Sequence, residues 1–371
     1  MGSESRNRYL LKNTLIFTLG NIGSRMISFF LIPLYTNVLT TSQYGTVDLI
    51  TTISTVAGPM LTLNIAESVM RFGLDKDADK EKNTQCGSIV LLIAMIIGLV
   101  LIPICRCITE VSGYAMYVYF YVISLSASQL FLCDLRGKEL LLKYSLGNIL
   151  QTLMIAILNI TFLLVFKMET GGYLLAYIIA NFIVAIYAII AGKGYKAFSF
   201  HNIDRCKLKE MIRYSVVLIP NTFMWWIMNS SDRVMVTYMI GAAANGIYAV
   251  SYKLPTLVST LTGIFNQAWS YSAIREEGTS DETEYNNKMF KTLSAIAFMM
   301  GIGLLLLTKP FLRVYVADSY YDAWKYTPFL IVGCVYLTLG TFMATSYTVH
   351  KDSFGYLFSG SFGAVFNILL N

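Results

Sequence analysis

Long apolar stretches, each about as long as a bilayer crossing, follow one another along the chain. A helix needs about 20 predominantly apolar residues to cross a hydrocarbon core of about 30 Å. That length predicts about eleven spans, near Leu15–Leu39, Gly45–Ser68, Gly87–Ile104, Tyr114–Leu132, Leu146–Phe166, Tyr173–Ala191, Ser215–Ile240, Ile247–Trp269, Thr292–Thr308, Pro328–Val349 and Phe354–Leu370. Runs such as Ser88–Pro103 are apolar on every side. A membrane β-barrel would instead show short alternating segments of about 10 residues, so the fold class is all-α and polytopic. Several spans contain proline, Pro33, Pro59 and Pro220 among them, which membrane helices tolerate better than soluble ones.

Composition closes off the soluble alternative. The chain has 371 residues, 56% of them hydrophobic and 13% charged, with a mean hydropathy of +0.58. A soluble domain carries about 25% charged residues, and a surface this poor in charge would aggregate in water. Arg6, Arg8 and Lys12 precede the first span, as in a secretory signal. That span is too long for a signal core and has no small-residue cleavage site, so it reads as an anchor. Arg6 also stands where a myristoylation signal requires Ser or Thr.

Charge placement predicts orientation. Basic residues collect in cytoplasmic loops. Twenty Lys and Arg lie in the N-terminal segment and alternate loops around Arg71–Lys82, Arg136–Lys143, Lys193–Arg213, Arg275–Lys291 and Lys351. The opposite loops hold five: Arg106, Lys167, Lys309, Arg313 and Lys325. The N-terminus is therefore expected in the cytoplasm. The net charge of +6 reads as a topology signal and calls for no nucleic acid; contact with anionic membrane lipid remains compatible with it. The six cysteines show no metal-type spacing, Cys105 and Cys107 being the only close pair, and read as small apolar residues.

The most basic loop divides the chain into two related parts. Leu39–Leu49 (LTTSQYGTVDL) and Ile240–Val250 (IGAAANGIYAV) each place a glycine, Gly45 or Gly246, just ahead of a span. An even number of spans per half gives a parallel repeat about an axis normal to the membrane, with a central cavity between two helix bundles. The expected divisions are a six-helix lobe over 1–192, a cytoplasmic linker over 193–213 and a second lobe over 214–371. That second lobe shows five spans, one fewer than the repeat predicts.

Polar groups inside the spans carry the candidate chemistry, since a charge at mid-bilayer costs about 2.5–3.5 kcal/mol on insertion scales. Thr14, Thr18, Asn21, Arg25 and Ser28 share one helix face. Asp48, Thr52, Thr55, Pro59 and Thr62 form a second stripe, with Glu67 beyond it. Asn221, Trp225, Asn229 and Asp232 form a third, followed by Arg233, and Lys253 lies in the next span. Ser, Thr and Asn in such stripes also serve as glue between helices, and Asp232 with Arg233 reads equally as a solvated pair near a span end. Arg25, midway along its helix, is too deep to snorkel and is read as facing a wet cavity that binds an anion. Trp225, Trp226, Tyr248 and Tyr252 read as interfacial or core aromatics rather than sugar platforms.

With these features in place, the sequence resembles the Wzx-type flippases of lipid-linked oligosaccharides. These form the polysaccharide-transporter branch of the multidrug/oligosaccharidyl-lipid/polysaccharide exporter superfamily. The carriers are NIGSRMISFFLIPLYTNVLTTSQYG (Asn21–Gly45), MIRYSVVLIPN (Met211–Asn221), SDRVMVTYMIGAAANGIYAVSYKLP (Ser231–Pro255) and, more weakly, GKELLLKYSLGNIL (Gly137–Leu150). The resemblance implies transfer of an undecaprenyl-diphosphate-linked glycan from the cytoplasmic to the outer leaflet of a bacterial inner membrane. The implied partners are the lipid-linked glycan, membrane lipid and glycan-assembly proteins such as a polymerase. It also implies cavity cations meeting the diphosphate, a role Arg25 fits best and Lys253 less closely, with Asn21, Asn221 and Arg233 beside them. No GxxxxGK[ST] signature is present, so no nucleotide or other cofactor is expected. Coupling is then assigned to an ion gradient or the membrane potential, with Asp48, Glu67 and Asp232 as candidate ion sites.

Three other readings stay open. A multidrug exporter of the same superfamily would favour acidic cavity residues. A membrane glycan polymerase or ligase would need a sizeable outer loop with a reactive constellation, and none is visible, so the chain is not expected to be an enzyme. An inactive fragment would fit the count of eleven spans.

Overall fold

The computed structural model describes residues 27–371 apart from residue 76 and residues 107–110, 199–202, 277–281, 351 and 371. The described residues are almost wholly helical and contain no strand. Thirteen helices are described: α1 (Ile32–Val38), α2 (Thr41–Leu61), α3 (Ile65–Gly73), α4 (Lys80–Arg106), α5 (Ala115–Gly137), α6 (Leu141–Ile160), α7 (Glu169–Ala191), α8 (Arg205–Met239), α9 (Ala242–Ser251), α10 (Pro255–Glu276), α11 (Glu282–Tyr315), α12 (Thr327–Val349) and α13 (Ser353–Leu370).

Among the described residues, six stretches are long and apolar enough to cross a membrane: Lys80–Pro103, Ser112–Gly137, Leu141–Val165, Glu169–Ala191, Glu282–Tyr315 and Thr327–Tyr347. The bent pair α2–α3 would be a seventh. The first predicted span, Leu15–Leu39, lies largely outside the described residues, and two others fall short for physical reasons. The 35-residue α8 carries Asn221, Asn229, Asp232 and Arg233 within its apolar part. The predicted span Ile247–Trp269 is cut into α9 and α10 by a break at Tyr252–Leu254. Apolar side chains such as Val100, Val165, Leu306 and Phe329 stand exposed, as a lipid-facing surface requires.

The chain forms two compact units. The first holds Thr46–Trp226 with the described residues up to Leu34; the second holds Tyr35–Gly45 with the chain from Ile227 onward.

In the first unit, α7 presents Ala176, Ala180, Val184 and Ala188 at four-residue steps, all fully buried. Small residues let helix backbones approach closely, which supplies much of the packing where lipid removes the hydrophobic drive. Ile65, Val69, Leu130, Leu135 and Met211 join this core from α3, α5 and α8. Polar bonds fix the register: Ser68 Oγ donates to Met211 O at 2.7 Å, and Trp226 Nε1 donates to Thr52 O at 2.9 Å. Asp134 accepts from Thr84 Oγ1 at 2.5 Å and from Lys138 Nζ at 2.6 Å. The same ammonium also caps the end of α7 at Gly192 O, 2.9 Å away.

In the second unit, α10, α11 and α12 share a core in which Trp269 stacks on Phe342 at 4.8 Å. Thr262 and Thr338 meet at 3.1 Å, and Asn266 Nδ2 donates to Thr341 Oγ1 at 3.0 Å. The helix starts assigned from the sequence need correction, because Gly45 and Gly246 do not precede their helices. α2 begins earlier, at a capping box in which Thr40 and Gln43 bond each other's backbone N–H. Gly45 is therefore the fifth residue of α2 and Gly246 the fifth of α9. A Cβ on Gly45 would fall on the Ala242 carbonyl, and one on Gly246 would fall on the Thr41 carbonyl. The two segments equated in the sequence thus cross each other reciprocally, as a local twofold relation demands. Asn245 Nδ2 closes the crossing by donating to Gly45 O at 2.9 Å.

Candidate functional site

The first unit contains a cavity of about 750 Å³, within the usual range of ligand sites. Three helices line it at the three- and four-residue steps of one helix face: Leu125, Gln129 and Leu132 from α5, Tyr144, Asn148 and Gln151 from α6, and Tyr214, Leu218 and Asn221 from α8. The remaining wall is the α2–α3 bend with Pro59, Asn64 and Glu67.

That bend has a local cause. Pro59 lies inside α2 and has no N–H to donate. The chain then turns by 61° through Leu63 and Asn64 at φ 52 and 54. Asn is among the residues that tolerate this left-handed conformation best. The turn carries the Asn64 side chain to Thr222, where Nδ2 donates to Oγ1 at 3.3 Å. One turn later, Glu67 stands half-buried in the first turn of α3, where the positive end of the helix dipole favours a carboxylate.

Five carboxamides line the cavity (Asn64, Gln129, Asn148, Gln151 and Asn221), with the hydroxyls of Ser128, Thr222, Tyr144 and Tyr214. Glu67 is the only charged residue among the described lining residues. Its carboxylate makes no hydrogen bond or ion pair with any described residue, its backbone N–H donating to Asn64 O at 3.2 Å. Gln151 Nε2 is held by Asn181 Oδ1 at 2.6 Å, leaving its oxygen as the acceptor. Carboxamides offer donors and acceptors together, so the lining suits a neutral ligand rich in both.

Of the residues singled out from the sequence, Glu67 and Asn221 meet in this cavity. Asp48 is buried in α2, 7% exposed. A second group gathers in the other unit: Tyr248 Oη donates to Asp232 Oδ2 in a short hydrogen bond, and the Arg233 guanidinium lies 5.3 Å from the centre of the Tyr252 ring. Lys253 is half-buried at the break between α9 and α10. Asn21 and Arg25 lie outside the described residues. Sequence reasoning passed over Gln129, Asn148 and Gln151, although a carboxamide within an apolar span is the signal that could have found them. No group of three or more His, Cys, Asp or Glu residues gathers as a metal site among the described residues.

The profile of the polysaccharide biosynthesis protein family matches residues 10–274, well over half of the chain. The chain belongs to that family. Comparison of this polysaccharide biosynthesis family member with curated protein sequences returns no match. Among solved structures it is similar to the inward-facing conformation of a multidrug resistance MATE family transporter of the MOP superfamily, with a TM-score of 0.62 at 14% identity over 95% of this chain and 83% of that one. It is also similar to the Vibrio cholerae MATE transporter VcmN in the bent form, TM-score 0.55, 12% identity, over 96% and 87% of the two chains. A third likeness is to a MOP superfamily transporter from Pyrococcus furiosus described by the reverse polarity of its binding pocket, TM-score 0.51, 13% identity, over 97% and 94%. This family member therefore has the two-bundle helical fold of these transporters. The sequence resemblance to the superfamily's polysaccharide branch is borne out.

Proposed function

We propose that this chain is a flippase that carries a lipid-linked oligosaccharide from the cytoplasmic to the outer leaflet of a bacterial inner membrane by alternating access. The observation that carries this reading is the amide-lined cavity with its single carboxylate. Sugar hydroxyls each donate and accept, and carboxamides answer both roles without the cost of burying unpaired charge. Glu67 repels a diphosphate, so the glycan belongs in this cavity and the diphosphate at a cationic site. Arg25 is assigned that site from the sequence, with Asn21, Arg233 and Lys253 as further contacts, and Arg holds phosphate oxygens in bidentate fashion. Glu67 takes the coupling role ahead of Asp48 and Asp232, because it lines the cavity and has no ion-pair partner among the described residues.

The test is leaflet transfer in proteoliposomes. An undecaprenyl-diphosphate-linked oligosaccharide is expected to reach the opposite leaflet faster than in empty vesicles. Gln151→Leu and Asn221→Leu should each slow transfer about threefold to tenfold, the equivalent of one hydrogen bond at about 1 kcal/mol. The fold also favours a second reading, cation-coupled multidrug export. Movement of a cationic dye with no transfer of the glycan lipid would select that reading and overturn the first.

A further inference from the structure

A second cavity of the first unit, about 400 Å³ in volume, lies where the α3–α4 loop meets the starts of α4 and α8. Asp75, Asp77 and Asp79 border it from the loop and Asp204 from the residue before α8, against Lys82 and Lys207. These segments fall within the basic loops expected on the cytoplasmic side.

Most of the charges already have partners. Asp79 Oδ1 accepts the Lys82 N–H at 3.1 Å and Asp204 Oδ1 accepts the Lys207 N–H at 3.0 Å. Each of these two aspartates thus answers the positive end of the helix it precedes. The Lys82 ammonium lies 3.4 Å from Asp79, the Lys207 ammonium 3.1 Å from Glu210, and Arg71 holds Asp75 at 2.6 Å. The Asp77 carboxylate is left over, with no hydrogen-bond or ion-pair partner among the described residues. An unanswered carboxylate among further carboxylates is a place for a cation.

Asn83 defines the rest of the ligand. It lines the same cavity, is 2% exposed, and neither its Nδ2 nor its Oδ1 has a hydrogen-bond partner. Thr84 beside it is as deeply buried, yet its hydroxyl bonds both Lys80 O and Asp134. Buried polar side chains are satisfied in the large majority of cases, so an amide idle at both ends calls for a missing partner. That partner must accept and donate side by side, which a metal ion, a lone ammonium or a guanidinium cannot do. A peptide backbone can, its C=O accepting from Nδ2 while an N–H donates to Oδ1. Water can as well, but it leaves the Asp77 charge unanswered.

We propose that this cavity docks an extended basic peptide segment of a neighbouring membrane protein. The peptide backbone pairs with the Asn83 amide, and an Arg or Lys side chain meets Asp77. Such segments abound at this depth, because the cytoplasmic loops of polytopic proteins are rich in Lys and Arg. Docking needs no glycan, so it is tested without transport.

The experiment is fluorescence anisotropy of a labelled octapeptide of alternating arginine and alanine, titrated with the purified full chain in uncharged detergent. Wild type should bind it saturably, and an octapeptide of alternating glutamate and alanine should not compete. Asp77→Asn and Asn83→Leu should each weaken binding about fivefold, the size of one hydrogen bond. Asp318→Asn, which removes an acidic charge far along the chain, should bind as wild type does. Asp77 is exposed, so its variant decides the question alone if Asn83→Leu does not fold. Absence of saturable binding in wild type would leave Asn83 to water and overturn the proposal. So would unchanged affinity in Asn83→Leu, which would mean diffuse attraction between charges. Tighter binding by a variant with Arg6, Arg8 and Lys12 all changed to alanine would assign the cavity to the chain's own N-terminal segment, and would equally overturn docking of a partner.

Discussion

Gly45 and Gly246 show how much one missing Cβ can set. Each packs against a backbone carbonyl, Ala242 O or Thr41 O, and neither carbonyl can move without shifting its helix. Side chains introduced into such contacts typically cost about 1–3 kcal/mol. Gly45→Ala and Gly246→Ala are each expected to lower the thermal unfolding temperature of the purified protein. The double variant should cost less than the sum of the two, because the first displacement already relieves the second contact. Strict additivity would mean that the two glycines do not share one crossing. The sequence contained the signal, since both glycines sit at the same place in the repeat. Their partners were not legible, because close approach depends on which helices meet, and periodicity is silent about that.

At the scale of elements, the ends and breaks of helices were harder to read than their presence. Asp79 precedes α4, and its Oδ1 accepts the Lys82 N–H at 3.1 Å. That bond, with the Lys82 ammonium 3.4 Å from Oδ2, holds the carboxyl below its ordinary range, the backbone hydrogen bond being the largest cause. A depressed folded value means the cap contributes fully above the unfolded carboxylate range and is lost as pH falls through the lower folded value. Asp79→Ala is expected to cost about 1 kcal/mol at neutral pH and progressively less in acid, as read by chemical unfolding across pH. A pH-independent difference would remove the cap from the account. The α2–α3 bend was not read from the sequence: Pro59 stood within a span taken as continuous, and the left-handed pair Leu63–Asn64 has no signature beyond the presence of Asn. This is also why the cavity was seen in part. Glu67 and Asn221 stood out as polar residues in spans, whereas the bend that faces one toward the other followed from backbone conformation.

At the scale of the whole molecule, hydropathy made the helical class legible because lipid forces backbone polar groups to bond within their own segment. Orientation rests on a separate signal, the division of basic residues into twenty on one side and five on the other, and it can be tested without knowing the substrate. Cys206 is exposed at the start of α8, with Arg205, Lys207 and Lys209 around it, on the side proposed to be cytoplasmic. Cys86 and Cys334 are buried, so alanine at those two positions conserves most of the packing. In a chain whose other five cysteines are replaced, a membrane-impermeant maleimide should leave Cys206 unlabelled in intact cells and label it in inside-out vesicles. Labelling in intact cells would reverse the orientation of every loop together, because the basic segments alternate in step along the chain. The glycan would then have to enter from the opposite face, and the proposed direction of transfer would fail even if the cavity still bound it.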